Sequence, residues 1–297
     1  MSAITDPSQA LIDLYCRELK LPGLRRAYGS IARDAASQNR GYVAFLAACL
    51  EGEVASRREH RLAARLHQAR FPATKTLEGF DFLLLPGLPK AKVLSLAEGS
   101  FIRGKENVIC LGDTGTGKTH VATGLGVAAI QAGYRVRFIP ALILAQELLA
   151  AQQEYRLPRY LKSWQGVDLV ILDELGYLGL GPGDPLLFQF CAERYERGSL
   201  LITSNLDFSR WVEVFGDVTL TAALLDRLTH RAHVLLFQGE SHRFRESRQR
   251  MRAGEQHEKE GGDPAGLPAG KVQPLGSWAK ASASRGQVKA EADAPRP

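Results

Sequence analysis

Residues 107–119 read NVICLGDTGTGKT, a G-x-x-x-x-G-K-T pattern directly behind the apolar run Asn107-Val108-Ile109-Cys110-Leu111. This is the spacing of a phosphate-binding loop. A strand ending at Leu111 would turn through Gly112, Asp113, Thr114, Gly115, Thr116 and Gly117 into a helix opening near Lys118. Backbone N–H groups and the start of that helix then converge on a triphosphate. The glycines leave room for positive-φ turns and for close approach of backbone to phosphate. Lys118 would neutralise the β- and γ-phosphates, and the Thr119 hydroxyl would hold Mg²⁺, a hard cation that prefers oxygen. His120, first residue of the helical run 120–132, completes the nucleotide-binding set.

A second pattern supplies the other half of such a site. The run Leu169-Val170-Ile171-Leu172 is followed by Asp173-Glu174. The aspartate would hold Mg²⁺, directly or through water, and the glutamate would polarise an attacking water. Two adjacent carboxylates at the end of a buried strand are costly unless a cation and a nucleophile use them. Asn205 follows the sheet-type run 199–203 and would sit beside Asp173 if those strands are neighbours, where its amide can orient the water. With another strand order it is a turn asparagine. Arg227 in LLDRL and Arg243 in ESHRFR offer guanidinium groups for the transferring phosphoryl charge, in cis or from a neighbouring subunit. Spacing alone selects neither in so basic a chain.

These groups need a frame. Beyond residue 101 apolar β-rich runs at 134–139, 168–172, 199–203 and 233–237 alternate with helical patterns at 141–153 and 186–197 and two shorter ones at 208–215 and 220–230. That rhythm predicts an α/β fold, a parallel sheet covered on both faces, with Asp173 and Glu174 at its carboxyl edge. Residues 1–70 instead carry apolar positions at helical spacing, beginning at an Asp6-Pro7 start signal, and form an all-helical region. Its last helix places Arg57, Arg61 and Arg65 on one face with Arg58 and Arg70 nearby. Such a row suits a DNA phosphate backbone and equally suits a solvated helix face. His60 and His67 read as surface or packing residues. Residues 71–100, broken by Pro72, Pro86, Gly87 and Pro89, form a connector that Phe80, Phe82 and Leu83 to Leu85 would dock onto the neighbouring core. Residues 101–253 are the nucleotide-binding domain. The Gly-, Pro-, Ala-, Lys- and Glu-rich stretch 254–297 is expected to be disordered, with Trp278 either a docking residue or an incidental aromatic.

Composition sets the compartment and partners. Of 297 residues 45% are hydrophobic, enough for a real core, and the formal charge of +6 favours a polyanionic partner. Cys16, Cys49, Cys110 and Cys191 form no C-x-x-C pair, which disfavours a zinc site or a disulfide scaffold and predicts reduced core thiols. No apolar run approaches a membrane span, and the first ten residues are polar, so the chain is expected to be cytoplasmic.

The ordered set GDTGTGKTHVA, LVILDELGYL, LITSNL, FGD, AALLDRLTHRA and GESHRFRESR closely resembles the IstB-like ATPases across residues 8–250. These are AAA+ P-loop transposition helpers related to DnaC-type helicase loaders and to DnaA. The resemblance implies an ATPase with Lys118 and Thr119 as the first nucleotide motif and Asp173 and Glu174 as the second. Asn205 becomes the sensor of the γ-phosphate, Arg227 the finger reaching the next subunit's ATP, and Arg243 the carboxyl-terminal sensor. It also implies DNA or transposase contacts by the helical region, and a homo-oligomeric ring or spiral on duplex DNA that assists the transposase of the same element. The family's loop usually reads G-P-P-G-T-G-K-T. Asp113-Thr114 replace the prolines here, and the aspartate charge is expected to weaken nucleotide affinity slightly. A helicase loader is the near alternative, separable by capture of a replicative helicase rather than stimulation of strand transfer. A P-loop small-molecule kinase and a module that holds ATP without hydrolysing it are alternatives of other classes.

Overall fold

The computed structural model describes residues 7–176, 184–239 and 241. The chain opens with three helices where the apolar periodicity places them: α1 (Pro7–Glu18), α2 (Pro22–Ser37) and α3 (Tyr42–Ala69). Pro22 suits the first turn of α2, where its missing N–H leaves nothing unpaired. No side chain of α2 caps that turn. Glu53 does so from α3: its buried carboxylate accepts the N–H groups of Gly23 and Leu24 at 2.7 and 2.9 Å, and Arg57 Nε donates to it at 2.7 Å. The Arg57 hydrogen bond, then these two N–H groups, hold the Glu53 carboxyl below the usual carboxylate range against the opposing effect of burial.

The far end of α3 is built into the nucleotide-binding region. Ala69 is fully buried, Leu62 and Leu66 pack in the same apolar cluster as Val136 and Phe138, and Arg65 Nη1 donates to the Gly133 carbonyl at 2.5 Å. Residues 71–100 then pass a short 3-10 turn at Phe82–Leu84, α4 (Lys90–Ala97) and, after Gly99, the one-turn α5 (Ser100–Arg103).

Next come β1 (Asn107–Gly112), α6 (Lys118–Gln131), β2 (Val136–Pro140), α7 (Ala141–Gln153), α8 (Leu157–Ser163) and β3 (Leu169–Asp173). They are followed by α9 (Asp184–Arg194), β4 (Ser199–Ser204), α10 (Val212–Phe215), α11 (Val218–Thr229) and β5 (Ala232–Phe237). The strands pair in parallel in the order β2-β3-β4-β1-β5. Successive strand residues feed opposite faces: Val108 and Cys110 join a cluster with Val121 and Leu125 of α6, whereas Ile109 and Leu111 join one with Leu144, Phe190 and Trp211. This is a parallel sheet covered by helices on both faces, as the alternating strand and helix pattern predicts. The helix at 157–163 and the single turn at 100–103 were not expected from the sequence pattern, because each is too short to show a period.

All four cysteines are buried and free, and the described residues hold no cluster of three or more metal-ligating side chains. Burial pushes the Cys110 thiol, in the middle of β1, up to about 12. Among the described residues no helix is long and apolar enough to cross a membrane. The stretch 254–297, with Trp278, lies outside the described residues.

Candidate nucleotide site

Because β1 and β3 both flank β4, their carboxyl ends and that of β4 lie side by side, and the sequence motifs meet there. The register sets Cys110 against Thr203 and Leu111 against Ser204. Past β1 the chain turns through the glycine-rich loop into α6. Gly117, the residue before that helix, has φ +96°, a left-handed conformation an L side chain resists, and a Cβ there would meet the Phe80 ring at 2.7 Å. At Gly112 a Cβ would lie 2.1 Å from the Phe237 carbonyl oxygen, so the backbones of β1 and β5 approach as only glycine permits.

Lys118 is buried, and its Nζ donates to the carbonyls of Gly112 and Asp113 at 2.6 and 2.7 Å. Burial lowers its pKa below the ordinary lysine value, opposed by the charges of Cys110, Asp113, Asp173 and Glu174. No described carboxylate forms an ion pair with it. An ammonium buried in this way, folded on its own loop, is suited to an incoming polyphosphate. Thr116 Oγ1 donates to the Asp113 carbonyl at 2.7 Å and closes the loop on itself.

Thr119 Oγ1, on the first turn of α6, donates to Asp173 Oδ1 and Oδ2 at 3.0 and 3.2 Å. Lysine, threonine and aspartate therefore occupy one corner, where a hydroxyl and a carboxylate form an oxygen donor set that fits magnesium. Asp173 is buried, while Glu174 is exposed and lines the cavity above it. Glu174 adopts a positive φ of +59°. Asn205 lies just past β4 on the same cavity, and its buried Oδ1 has no hydrogen-bond partner among the described residues.

The cavity measures 510 Å³, within the range of nucleotide-sized sites. One wall is the loop 114–120 and another is the connector, through Lys75, Phe80, Asp81, Leu84 and Leu85. Sequence reasoning assigned the connector's aromatics to core docking. Phe80 and Phe82 do pack against the core cluster that holds Leu77, Leu85 and Val121, and Phe80 also meets His120 edge-on at 5.2 Å between centroids, with His120 Nε2 2.9 Å from the Thr76 carbonyl oxygen. Leu83, expected to dock, is 89% exposed. Thr203, also unassigned from sequence, lines the cavity and bonds both Asp173 and the Glu174 backbone. The signal that would have found it is a hydroxyl residue ending an apolar run, once β3 and β4 are known to be neighbours.

Arg227 lies elsewhere. It sits near the end of α11, where its guanidinium carbon is 5.9 Å from the Phe188 ring centroid. It lines a cavity of 260 Å³ with Lys105, Asn107, Gly198 and Arg231. Asn107 starts β1 and Gly198 precedes β4, so this is the amino edge of the sheet, opposite Lys118. Arg243 is outside the described residues. The arginine row of α3 is divided: Arg57 Nη2 donates to the Lys20 carbonyl at 2.7 Å, Arg65 is tied to Gly133, and Arg58 and Arg61 are exposed.

Comparison with known proteins agrees with this geometry. Residues 15–250 match the family of IstB-like ATP binding proteins. The chain is 41% identical over 238 residues to the ATP-binding protein of insertion sequence IS21 from Pseudomonas aeruginosa, covering 80% of this chain and 90% of that one. It is 37% identical over 235 residues to the corresponding protein of IS5376 from Geobacillus stearothermophilus, covering 79% and 94%. Among solved structures it is similar to AMPPCP-bound DnaA from Aquifex aeolicus, with a TM-score of 0.48 and 20% identity over 62% of this chain and 56% of that chain. With its phosphate loop, paired carboxylates and a match that spans the described fold, the chain belongs to the IstB-like ATP-binding protein family.

Proposed function

We propose that the protein hydrolyses ATP and uses the bound nucleotide to assemble on duplex DNA, where it assists the transposase of its insertion sequence. The observation that carries the reading is the convergence of Lys118, Thr119, Glu174 and Asn205 on one nucleotide-sized cavity, with the buried Asp173 hydrogen-bonded to Thr119 beside it. Its insertion-sequence relatives support the setting.

In this reading the loop N–H groups and Lys118 take the β- and γ-phosphates, the ammonium leaving the Gly112 and Asp113 carbonyls. Thr119 and Asp173 would hold Mg²⁺, which when bound neutralises phosphate charge. The Asn205 amide aligns the attacking water, and the Glu174 carboxylate draws off its proton. The bond from the γ-phosphorus to the bridging oxygen breaks, giving ADP and inorganic phosphate. Phe80 and His120 close the connector over the loop and limit water near the phosphates. Arg227, which lies at the opposite edge of the sheet from its own Lys118, would serve a neighbouring subunit's nucleotide and so tie hydrolysis to assembly. Arg243 is proposed as the second arginine of the site.

The segment 1–70 acts as the arm that meets DNA or the transposase, with Arg58 and Arg61 the exposed cations of its row and Arg57 half-exposed beside them. Contacts of this kind neutralise phosphates without reading bases, so binding should fall steeply with salt and show little sequence preference. The test is ATPase activity with and without duplex DNA, with sizing of the complex in ATP and in ADP. Stimulation by DNA and a larger species in ATP than in ADP support the reading. Phosphate transfer to a metabolite by a DNA-free monomer would replace it with a kinase.

A further inference from the structure

We infer that the Thr203 hydroxyl is a positioning group for hydrolysis, fixing the Asp173 carboxylate and the backbone turn that presents Glu174. The inference rests on the ATPase reading above and adds a residue to that site. Thr203 lies near the end of β4 and is buried. Its Oγ1 donates to Asp173 Oδ1 at 2.5 Å and accepts the Glu174 N–H at 2.9 Å, while its carbonyl accepts the Leu175 N–H at 2.9 Å. A hydroxyl has a single proton, so donation to Asp173 leaves only lone pairs for Glu174. The two bonds together define one orientation, and a rotation that served one partner alone would lose the other.

The consequence is at Glu174. A glutamate at φ +59° occupies a region few non-glycine residues adopt, and it persists only where its surroundings hold it. Here the N–H groups of the two consecutive residues 174 and 175 both end on Thr203, so one residue of the adjacent strand pins the turn. Asp173 is fixed as well. Its Oδ1 takes hydrogen bonds from Thr203 on β4 and from Thr119 on α6, while Oδ2 has only the longer 3.2 Å contact with Thr119. The carboxylate is therefore clamped through one oxygen, and the other is the better placed for a cation. Thr203 thereby couples the strand that carries Asn205 to both acidic groups.

The test compares Thr203→Val, which keeps the shape and removes the hydroxyl, with Thr203→Ser, which keeps the hydroxyl. Binding of a fluorescent ATP analogue to the full chain is measured without metal and across a MgCl₂ titration, and turnover is measured at saturating ATP. For Thr203→Val the magnesium midpoint should rise about 10-fold and kcat should fall about 10- to 100-fold, the usual cost of losing a group that orients a ligand. Metal-free nucleotide binding and the KM for ATP should stay near wild type, and Thr203→Ser should restore the midpoint and kcat. Wild-type midpoint and kcat in Thr203→Val would overturn the proposal. So would a folded Thr203→Ser chain as impaired as Thr203→Val, because packing rather than the hydroxyl would then be the cause. Should Thr203→Val fail to fold, Thr203→Cys, with a weak S–H donor, takes its place with the same expected direction. If the wild type binds the analogue but hydrolyses no ATP, the ATPase reading fails. The magnesium midpoints then still decide the hold of Thr203 on Asp173, since they need no turnover.

Discussion

The carboxyl edge of the sheet and the helical arm contrast in how they treat their polar groups. At the sheet edge most functional side chains are already hydrogen-bonded within the fold: Lys118 to two carbonyls, Thr119 to Asp173, and Asp173 to Thr203. The exceptions are Asn205, whose buried Oδ1 has no partner among the described residues, and Glu174, which is exposed and lines the cavity. The arm leaves much more in water. Leu14, Leu19, Tyr42, Val43 and Leu46 are each at least half exposed, and Arg58 and Arg61 are exposed beyond them on α3. One region is pre-organised, so that a substrate exchanges existing hydrogen bonds for new ones. The other is held mainly at its root, where Glu53 and Arg65 tie it together, and its surface is governed by salt and solvent.

The sharpest way to break this contrast is at the lysine. Lys118→Ala removes the ammonium while leaving the loop's backbone donors, and ATP affinity should fall about 100-fold, the worth of two strong charge-assisted hydrogen bonds. Titration of a fluorescent ATP analogue reads it. An unchanged affinity would mean that the buried ammonium serves only its own loop.

Next in size is a change at the arm's root. Glu53→Ala leaves the Gly23 and Leu24 N–H groups and the Arg57 guanidinium without their shared acceptor, at a cost of about 2 kcal/mol in thermal unfolding. The same residue sets a pH dependence. Its carboxyl is depressed in the folded chain, chiefly by Arg57, so its contribution is full above the unfolded carboxyl value of about 4.3 and fades as pH falls through the lower folded value. Melting curves from pH 7 to pH 3 should show this loss in the wild type and less of it in Glu53→Ala.

The smallest expected effects divide the arginine row. Arg61→Ala should reduce the slope of log affinity against log salt for duplex DNA by about 1 with little change in melting temperature. Arg57→Ala should lower the melting temperature more than Arg61→Ala does, because its guanidinium already spans Glu53 and the Lys20 carbonyl. Equal behaviour of the two variants would mean that internal pairing does not separate them.

Motifs whose chemistry is local in sequence were legible from sequence alone. Gly112 to Thr119 and Asp173-Glu174 declare themselves because their neighbours in the chain are also their neighbours at the site. The strands, too, followed from their apolar runs. The strand order did not, because parallel pairing leaves no mark on a single strand, and Asn205 and Thr203 depend on it. Thr203 acts across β3 and β4, so nothing in LLITS distinguishes its hydroxyl from that of a packed strand residue. The connector's docking on the core was legible but its second role was not: Phe80 looks like any core aromatic until Gly117 and His120 are seen against it. Nor can helical spacing show that Arg57 and Arg65 spend their hydrogen bonds on carbonyls far away in the chain.

The central claim is that the loop and the β3 carboxylates form one hydrolytic site, and Glu174→Gln tests it most directly by separating binding from turnover. ATP hydrolysis and ATP-analogue affinity are measured side by side in wild type and variant. Turnover should fall about 1,000-fold, within the range for a lost general base, while affinity holds and ATP-bound assemblies accumulate on DNA. Undiminished turnover in Glu174→Gln would contradict the account, since the water would then be activated by some other group.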